Sequence, residues 1–283
     1  MAEIKVVNVG GIGIANTRPM VLIAGPCALE SRDCALRIAD QLVKITDDLK
    51  IPFIYKASFD KANRTSLNAK RGVSIDEGLE IFSLIKATYG CPIITDVHES
   101  QQCGILAEVV EVLQIPAFLC RQTDLLVAAA KTGKAINVKK GQFLAPWDME
   151  NVCKKLADSG NDNIMLCERG TCFGYNRLIS DMRSLRIMGS YGYPIIFDAT
   201  HSVQEPGGLG TSSGGNREYI EPLARAALAV GVAGIFLETH YDPAISISDG
   251  PNMMPLHAIK NFLISMKRFD ELAKDSNYLD ISG

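Results

Sequence analysis

The sequence has no excess of positive charge: 29 lysines and arginines stand against 32 aspartates and glutamates, a net −3 over 283 residues. A chain so balanced offers nothing in bulk to a nucleic-acid backbone, and nucleic acid is excluded as the partner. It also lacks any run approaching the roughly 20 apolar residues that span a bilayer. The opening MAEIKVVNVG carries two charges before any apolar run and has no secretory pattern, so the expectation is a cytoplasmic protein with no membrane partner. The eight cysteines include no CxxC pair and are scattered through a long chain, which argues against a disulfide framework and makes most of them small core residues. No glycine-rich segment ends in GKS or GKT or spells GxGxxG, so neither a P-loop nor a dinucleotide fingerprint is present. Tryptophan occurs once, Trp147 in APWDMEN, where it reads as packing at a helix start.

Apolar residues are plentiful, at 47% against 22% charged, enough for one large core. From Met20 onward short β-branched runs alternate with amphipathic stretches of helical length. Strands are expected at 21–24, 53–57, 93–96, 112–115, 135–139, 164–167, 195–198 and 234–238. Helices are expected at 33–46, 75–88, 101–108, 125–131, 149–158, 180–188, 218–230 and 256–274. Eight βα pairs imply an α/β fold, a (β/α)8 TIM barrel forming one domain over 1–283. Residues 1–19 stand outside the count. They read as short strands 4–9 and 12–16 around Gly10 and Gly11, a hairpin closing the bottom of the barrel.

A barrel gathers its chemistry where the strands end. In strand order those ends offer Cys27, Lys56, Asp96 with His98, Lys139, Glu168 with Arg169, Asp198 with His201, and Glu238 with His240. A doubly wound sheet would use only the ends near a switch point, whereas here nearly every strand contributes. The run KASFDKANRTS at 56–66 sets three cations among hydrogen-bonding side chains directly after an apolar stretch. Guanidinium forks and ammonium charges with Asn, Thr and Ser suit a phosphorylated sugar or polyol; the plain alternative is a polar loop over the surface. Lys56, Lys61, Arg64, Arg121, Lys139 and Arg169 would repel one another by about 4 kcal/mol per pair at about 4 Å, so more than one anionic group is expected to relieve them. Cys27, His201, Glu238 and Asp249 could hold Fe²⁺, Zn²⁺ or Mn²⁺, although a buried cysteine and a hydrogen-bonded histidine would read the same by spacing. PGGLGTSSGG at 206–215 reads as a lid over the barrel mouth or as a long surface loop. His98 and His240, just past strand ends, suit support of neighbouring groups as well as catalysis.

AGPCALES, YKASFDKANRTS, TDVHE, PAFLCRQTDL, NVKKGQF, CERGTCFGYN, FDATHSVQ, PGGLG and LETHYDP, in this order over nearly the whole chain, resemble the 3-deoxy-D-manno-octulosonate 8-phosphate synthase family. The resemblance implies a homotetrameric barrel that condenses phosphoenolpyruvate with D-arabinose 5-phosphate for lipopolysaccharide synthesis. The related heptulosonate 7-phosphate synthases usually carry KPR where this chain has KANR, which favours arabinose 5-phosphate over erythrose 4-phosphate. It further implies that Lys61, Arg121, Lys139, Gln142 and Arg169 receive phosphoenolpyruvate and that Asn63, Arg64 and Thr65 hold the sugar phosphate. Lys56, Asp96, His201 and Asp249 are implied at the reacting centre, and Phe118 at a subunit boundary. Metal-dependent members have Cys after Gly-Pro, as Cys27 is here, and metal-independent ones have Asn. Asp249-Gly250-Pro251 resembles the DGP of the metal-independent branch, with Ser248 where those relatives carry Cys.

Overall fold

The computed structural model describes residues 2–208 and 214–275. β1 (Val7–Val9) and β2 (Ile12–Ile14) form an antiparallel hairpin across Gly10 and Gly11, both at positive φ as a tight turn of this hand requires. The chain continues through β3 (Val21–Gly25), α1 (Arg32–Leu49), β4 (Phe53–Lys56), α2 (Ile75–Tyr89), β5 (Ile93–Asp96) and α3 (Ser100–Ala107). There follow β6 (Val112–Ile115), α4 (Thr123–Lys131), β7 (Ala135–Lys139), α5 (Met149–Asp158) and β8 (Ile164–Glu168). A small hairpin of β9 (Thr171–Cys172) and β10 (Leu178–Ile179) leads to α6 (Met182–Gly189) and β11 (Ile195–Asp198). Last come β12 (Gln204–Glu205), β13 (Gly214–Gly215), α7 (Ile220–Val230), β14 (Gly234–His240), β15 (Met254–Pro255) and α8 (Ile259–Asp275).

β3 to β8 pair in sequence order, β8 pairs with β11, β11 with β14 and β14 with β3, all parallel. The ring therefore closes as the expected (β/α)8 barrel. Local chemistry sets the helix starts: Ser31 Oγ accepts from Cys34 N to cap α1, and Ser74 Oγ accepts from Glu77 N to cap α2. Boundaries differ from the sequence reading by up to three residues, as where the first strand begins at Val7 and the first helix runs on to Leu49. α7 begins at Ile220 because Arg217–Tyr219 is a separate 3₁₀ turn.

Strand side chains are buried on both faces, as a parallel sheet covered by helices demands. One face packs on the helices, where Leu22, Leu113 and Phe197 join Leu42, Phe82 and Leu263. The other fills the barrel with Val21, Ile23, Ile54, Ile94, Met165 and Phe236, and Val7, Val9 and Ile14 of the hairpin belong to this same cluster. The hairpin thus plugs the bottom of the barrel. Each such fully buried aliphatic side chain contributes about 1.5–3 kcal/mol.

All eight cysteines are free and only Cys172 is exposed. No helix among the described residues is long and apolar enough to cross a membrane. Trp147, expected as packing, is instead 62% exposed. Of the glycine-rich stretch, β12 and β13 pair across its base, and residues 209–213 of the expected lid lie outside the described residues.

Candidate active site

Period-two alternation places the site. On the inward face of the strands an apolar residue is followed two positions later by a polar one: Ile54 by Lys56, Ile94 by Asp96, Val112 by Gln114, Ile196 by Asp198, Phe236 by Glu238. The barrel is therefore apolar below and polar at its C-terminal rim, which opens into a cavity of about 800 Å³. Lys56, Lys61, Asn63, Arg64, Thr65, Asp96, Phe118, Lys139, Gln142, Arg169, His201, Glu238 and Asp249 line it. Cys27 lies fully buried beside it. Arg121 is exposed and is not among the lining side chains of its own chain.

Glu238 sits at the centre. Lys56 Nζ donates to Glu238 Oε1 at 2.5 Å and to the Cys27 carbonyl at 2.9 Å, both partners being buried. This approach depends on Gly25, because a Cβ there would stand 1.9 Å from the Lys56 carbonyl oxygen. Lys61 Nζ lies 3.9 Å from both Glu238 and Asp96. Asp96 in turn is gripped by Ser58 Oγ and by Gln114 Nε2 at 2.5 Å, and Gln114 Oε1 accepts from Asn137 at 2.9 Å. Across the mouth Lys139 Nζ donates to Asp198 Oδ2 at 2.6 Å, 4.0 Å above the Phe236 ring. Gln204 accepts from Arg169 Nη2 at 2.8 Å and donates to Asp249 Oδ1 at 2.7 Å. Arg64 reaches over to Ser248 Oγ at 2.7 Å and the Ile247 carbonyl at 2.9 Å.

These pairings correct one step of the sequence argument. Lys56, Lys61 and Lys139 are not a ring of unrelieved cations; Glu238, Asp96 and Asp198 already face them. Asp198 is among the strand-end residues that the sequence offers, whereas Ser58, Gln114, Asn137 and Gln204, which also hold the expected site residues in place, went unassigned. Gln114 and Asn137 had a visible signal, an amide between two apolar neighbours within a strand.

Burial works against the charge of Asp96, but Lys61 and Lys56 overcome it and hold the carboxyl well below the usual range. Burial alone would lower Lys61, yet Cys27, Glu238 and Asp96 raise it. Asp198 stays ionised for the same reason against its burial, beside His201 and Lys139. Since the Asp96 pKa is lower folded than unfolded, its contribution to stability is fully present above about pH 4 and is lost as pH falls below that. The Tm difference between the parent and Asp96→Asn is accordingly expected to be largest near neutrality and to shrink below about pH 4; a constant difference would contradict it.

Cys27, Glu238 and Asp249 bring one donor atom each within 4.8 Å of one another. Cys27 Sγ is 3.3 Å from Asp249 Oδ2, and His201 Nε2 is 3.5 Å from Glu238 Oε2 and 3.9 Å from Asp249 Oδ2. His201 Nδ1 faces the Asp198 carboxylate at 2.7 Å, which can only accept and so fixes a proton on Nδ1 and the orientation of the ring, with Nε2 turned toward Glu238 and Asp249. Glu238 Oε2 is buried with no hydrogen-bond partner among the described residues, a costly state for a carboxylate oxygen. Asp249 adopts φ +56°, a left-handed conformation for a residue with a side chain. A thiol and two carboxylates gathered within 4.8 Å of one another fit a divalent cation, and His201 stands beside both carboxylates but outside that trio.

The sequence matches the DAHP synthetase I family over residues 3–275. It is 62% identical over 272 residues to the 2-dehydro-3-deoxyphosphooctonate aldolase of Bartonella quintana (strain Toulouse), covering 96% of this chain and 98% of that protein. The proteins of the same name from Rickettsia canadensis (strain McKiel) and Brucella ovis (strain ATCC 25840 / 63/290 / NCTC 10512) are 60% and 59% identical, covering 96% and 95% of this chain and 99% and 97% of theirs.

Proposed function

The chain belongs to the DAHP synthetase I family, and on that premise we propose that it is a 3-deoxy-D-manno-octulosonate 8-phosphate synthase, the activity that its relatives' name denotes. It condenses phosphoenolpyruvate with D-arabinose 5-phosphate and water, releasing inorganic phosphate and supplying a lipopolysaccharide precursor. The observation that carries this reading is 59–62% identity over nearly the full length of proteins so named. KANR at 61–64, in place of the KPR usual in heptulosonate synthases, supports arabinose 5-phosphate over erythrose 4-phosphate.

C3 of phosphoenolpyruvate forms a bond to the aldehyde carbon of the open-chain sugar while water adds to C2; the tetrahedral adduct then breaks its C–O bond to phosphate. Lys61, Lys139, Gln142 and Arg169 bind phosphoenolpyruvate, and Asn63, Arg64 and Thr65 the sugar phosphate, for which Arg64 exchanges its bonds to Ser248 and Ile247. Lys56 and Asp96 flank the reacting carbons, where fixed charges stabilise the adduct without reorganising. Cys27, His201, Glu238 and Asp249 would hold Fe²⁺, Zn²⁺ or Mn²⁺. Such an ion would polarise the sugar carbonyl or acidify water. Asp198 keeps the His201 Nδ1 proton, and thereby its ring orientation. Exposed Phe118 at the cavity edge and Arg121 beyond it are assigned to a neighbouring subunit's site in a cytoplasmic homotetramer.

Phosphate release from phosphoenolpyruvate is expected with arabinose 5-phosphate and to be slower with erythrose 4-phosphate. The reverse preference would make the chain a heptulosonate synthase, and binding without release would leave only a sugar-phosphate sensor.

A further inference from the structure

A second set of metal-binding side chains lies outside the cavity. Glu30 precedes the cap of α1, Cys34 is in its first turn, and His240 ends β14. One donor atom of each lies within 4.8 Å of the other two. Cys34 Sγ is 3.4 Å from His240 Nε2, which is 3.8 Å from Glu30 Oε1. A tetrahedral Zn²⁺ with bonds of about 2.3 Å to sulfur and about 2.1 Å to nitrogen and oxygen would space its ligands by roughly 3.4–3.6 Å. These two separations therefore need to change by only a few tenths of an ångström, and the third, between Cys34 and Glu30, lies within 4.8 Å.

The histidine is prepared for such a role. His240 is fully buried, and its Nδ1 is 2.7 Å from the Asp242 carbonyl, a shorter contact than the 3.1 Å to the Asp242 amide. Donation to that carbonyl leaves Nε2 as a lone pair facing the Cys34 thiol and the Glu30 carboxylate, the arrangement that orients metal-bound imidazoles. None of the three side chains lines the catalytic cavity.

We propose that Glu30, Cys34 and His240 form a second divalent-cation site, with the preference for Zn²⁺ or Co²⁺ over Mg²⁺ that sulfur and imidazole impose. The site is tied to the rim through Glu30. Its Oε1 accepts from Ser246 Oγ at 3.0 Å and from Ile247 N at 3.2 Å, in the loop that carries Ser248 and Asp249. A cation held at Oε1 competes with those donors, so occupation loosens the loop that presents Asp249.

Co²⁺ added to metal-stripped Cys27→Ala tests the site without interference from the catalytic thiol. Thiolate-to-cobalt absorption is expected in that variant and is lost in Cys27→Ala/Cys34→Ala; its absence from the first, or its survival in the second, overturns the proposal. Should Cys27→Ala fold poorly, Cys34→Ala alone is expected to bind one Zn²⁺ fewer per chain than the parent protein, and an unchanged count counts against the site. Cys34→Ala otherwise retains the basal activity. The coupling is read from hydrogen exchange. Saturating Zn²⁺ is expected to speed exchange of the Ile247 amide by roughly fivefold, the loss of one hydrogen bond, and not to do so in Cys34→Ala; unchanged exchange at a filled site refutes the link to the loop.

Discussion

Lys56→Met is expected to lower the Tm by roughly 6–20 °C and kcat/KM by at least about 100-fold. The substitution leaves Glu238, which is 0% exposed, without the ammonium 2.5 Å away. Removing one partner of a buried pair costs about 3–5 kcal/mol, because the remaining charge keeps its desolvation penalty. In a chain of this size each kcal/mol moves Tm by about 2–4 °C. Lys61, 3.9 Å from the same oxygen, moves the effect toward the lower end. The loss of activity has a different origin, the removal of a charge fixed at the reacting carbons. Lys56→Met/Glu238→Gln should therefore regain most of the Tm and none of the turnover. A double variant that regains neither would mean that Lys56 acts through packing, and one that regains both would remove Lys56 from the reaction.

Cys27→Ala is expected to reduce activity by more than the roughly 10–100-fold that follows loss of a residue supporting a metal ligand. What activity remains should no longer respond to EDTA. Burial, with Glu238 next, pushes the Cys27 thiol well above its ordinary value, so without a cation it stays a thiol donating to Asp249. Cys27→Asn is the more searching variant, because relatives with Asn at this place work without a metal and this chain already carries Asp249-Gly250-Pro251. Turnover by Cys27→Asn in EDTA would show that the rest of the rim is sufficient. Full activity of Cys27→Ala under chelation would take the ion out of the mechanism altogether.

The barrel was legible because its signals are local. β-branched runs and helical periodicity each fit within one element, and all eight strands and eight helices stand within a few residues of where the pattern puts them. Which charged residues reach the rim was legible for a related reason, since each closes the polar end of its own strand. Who meets whom was not. Asp96, Gln114 and Asn137 come from three successive strands, and their shared hydrogen-bond chain exists only once the ring has its register. The pairing of Lys139 with Asp198 spans 59 positions and is written in no motif. Trp147 misled because a lone indole in a helix-start pattern says nothing about which side of the helix layer it faces. Arg121 carries the right chemistry on a segment that its own chain leaves at the surface.

Gln204 spans two territories with one planar group. Its oxygen serves the guanidinium assigned to phosphoenolpyruvate and its nitrogen serves the aspartate assigned to the ion. Glutamate, its near isostere, could satisfy the first duty, but it would turn a negative oxygen on Asp249. The position thus acts like a keyed connector that seats in only one polarity, and a rotation that releases the enol pyruvate side must also let go of the other.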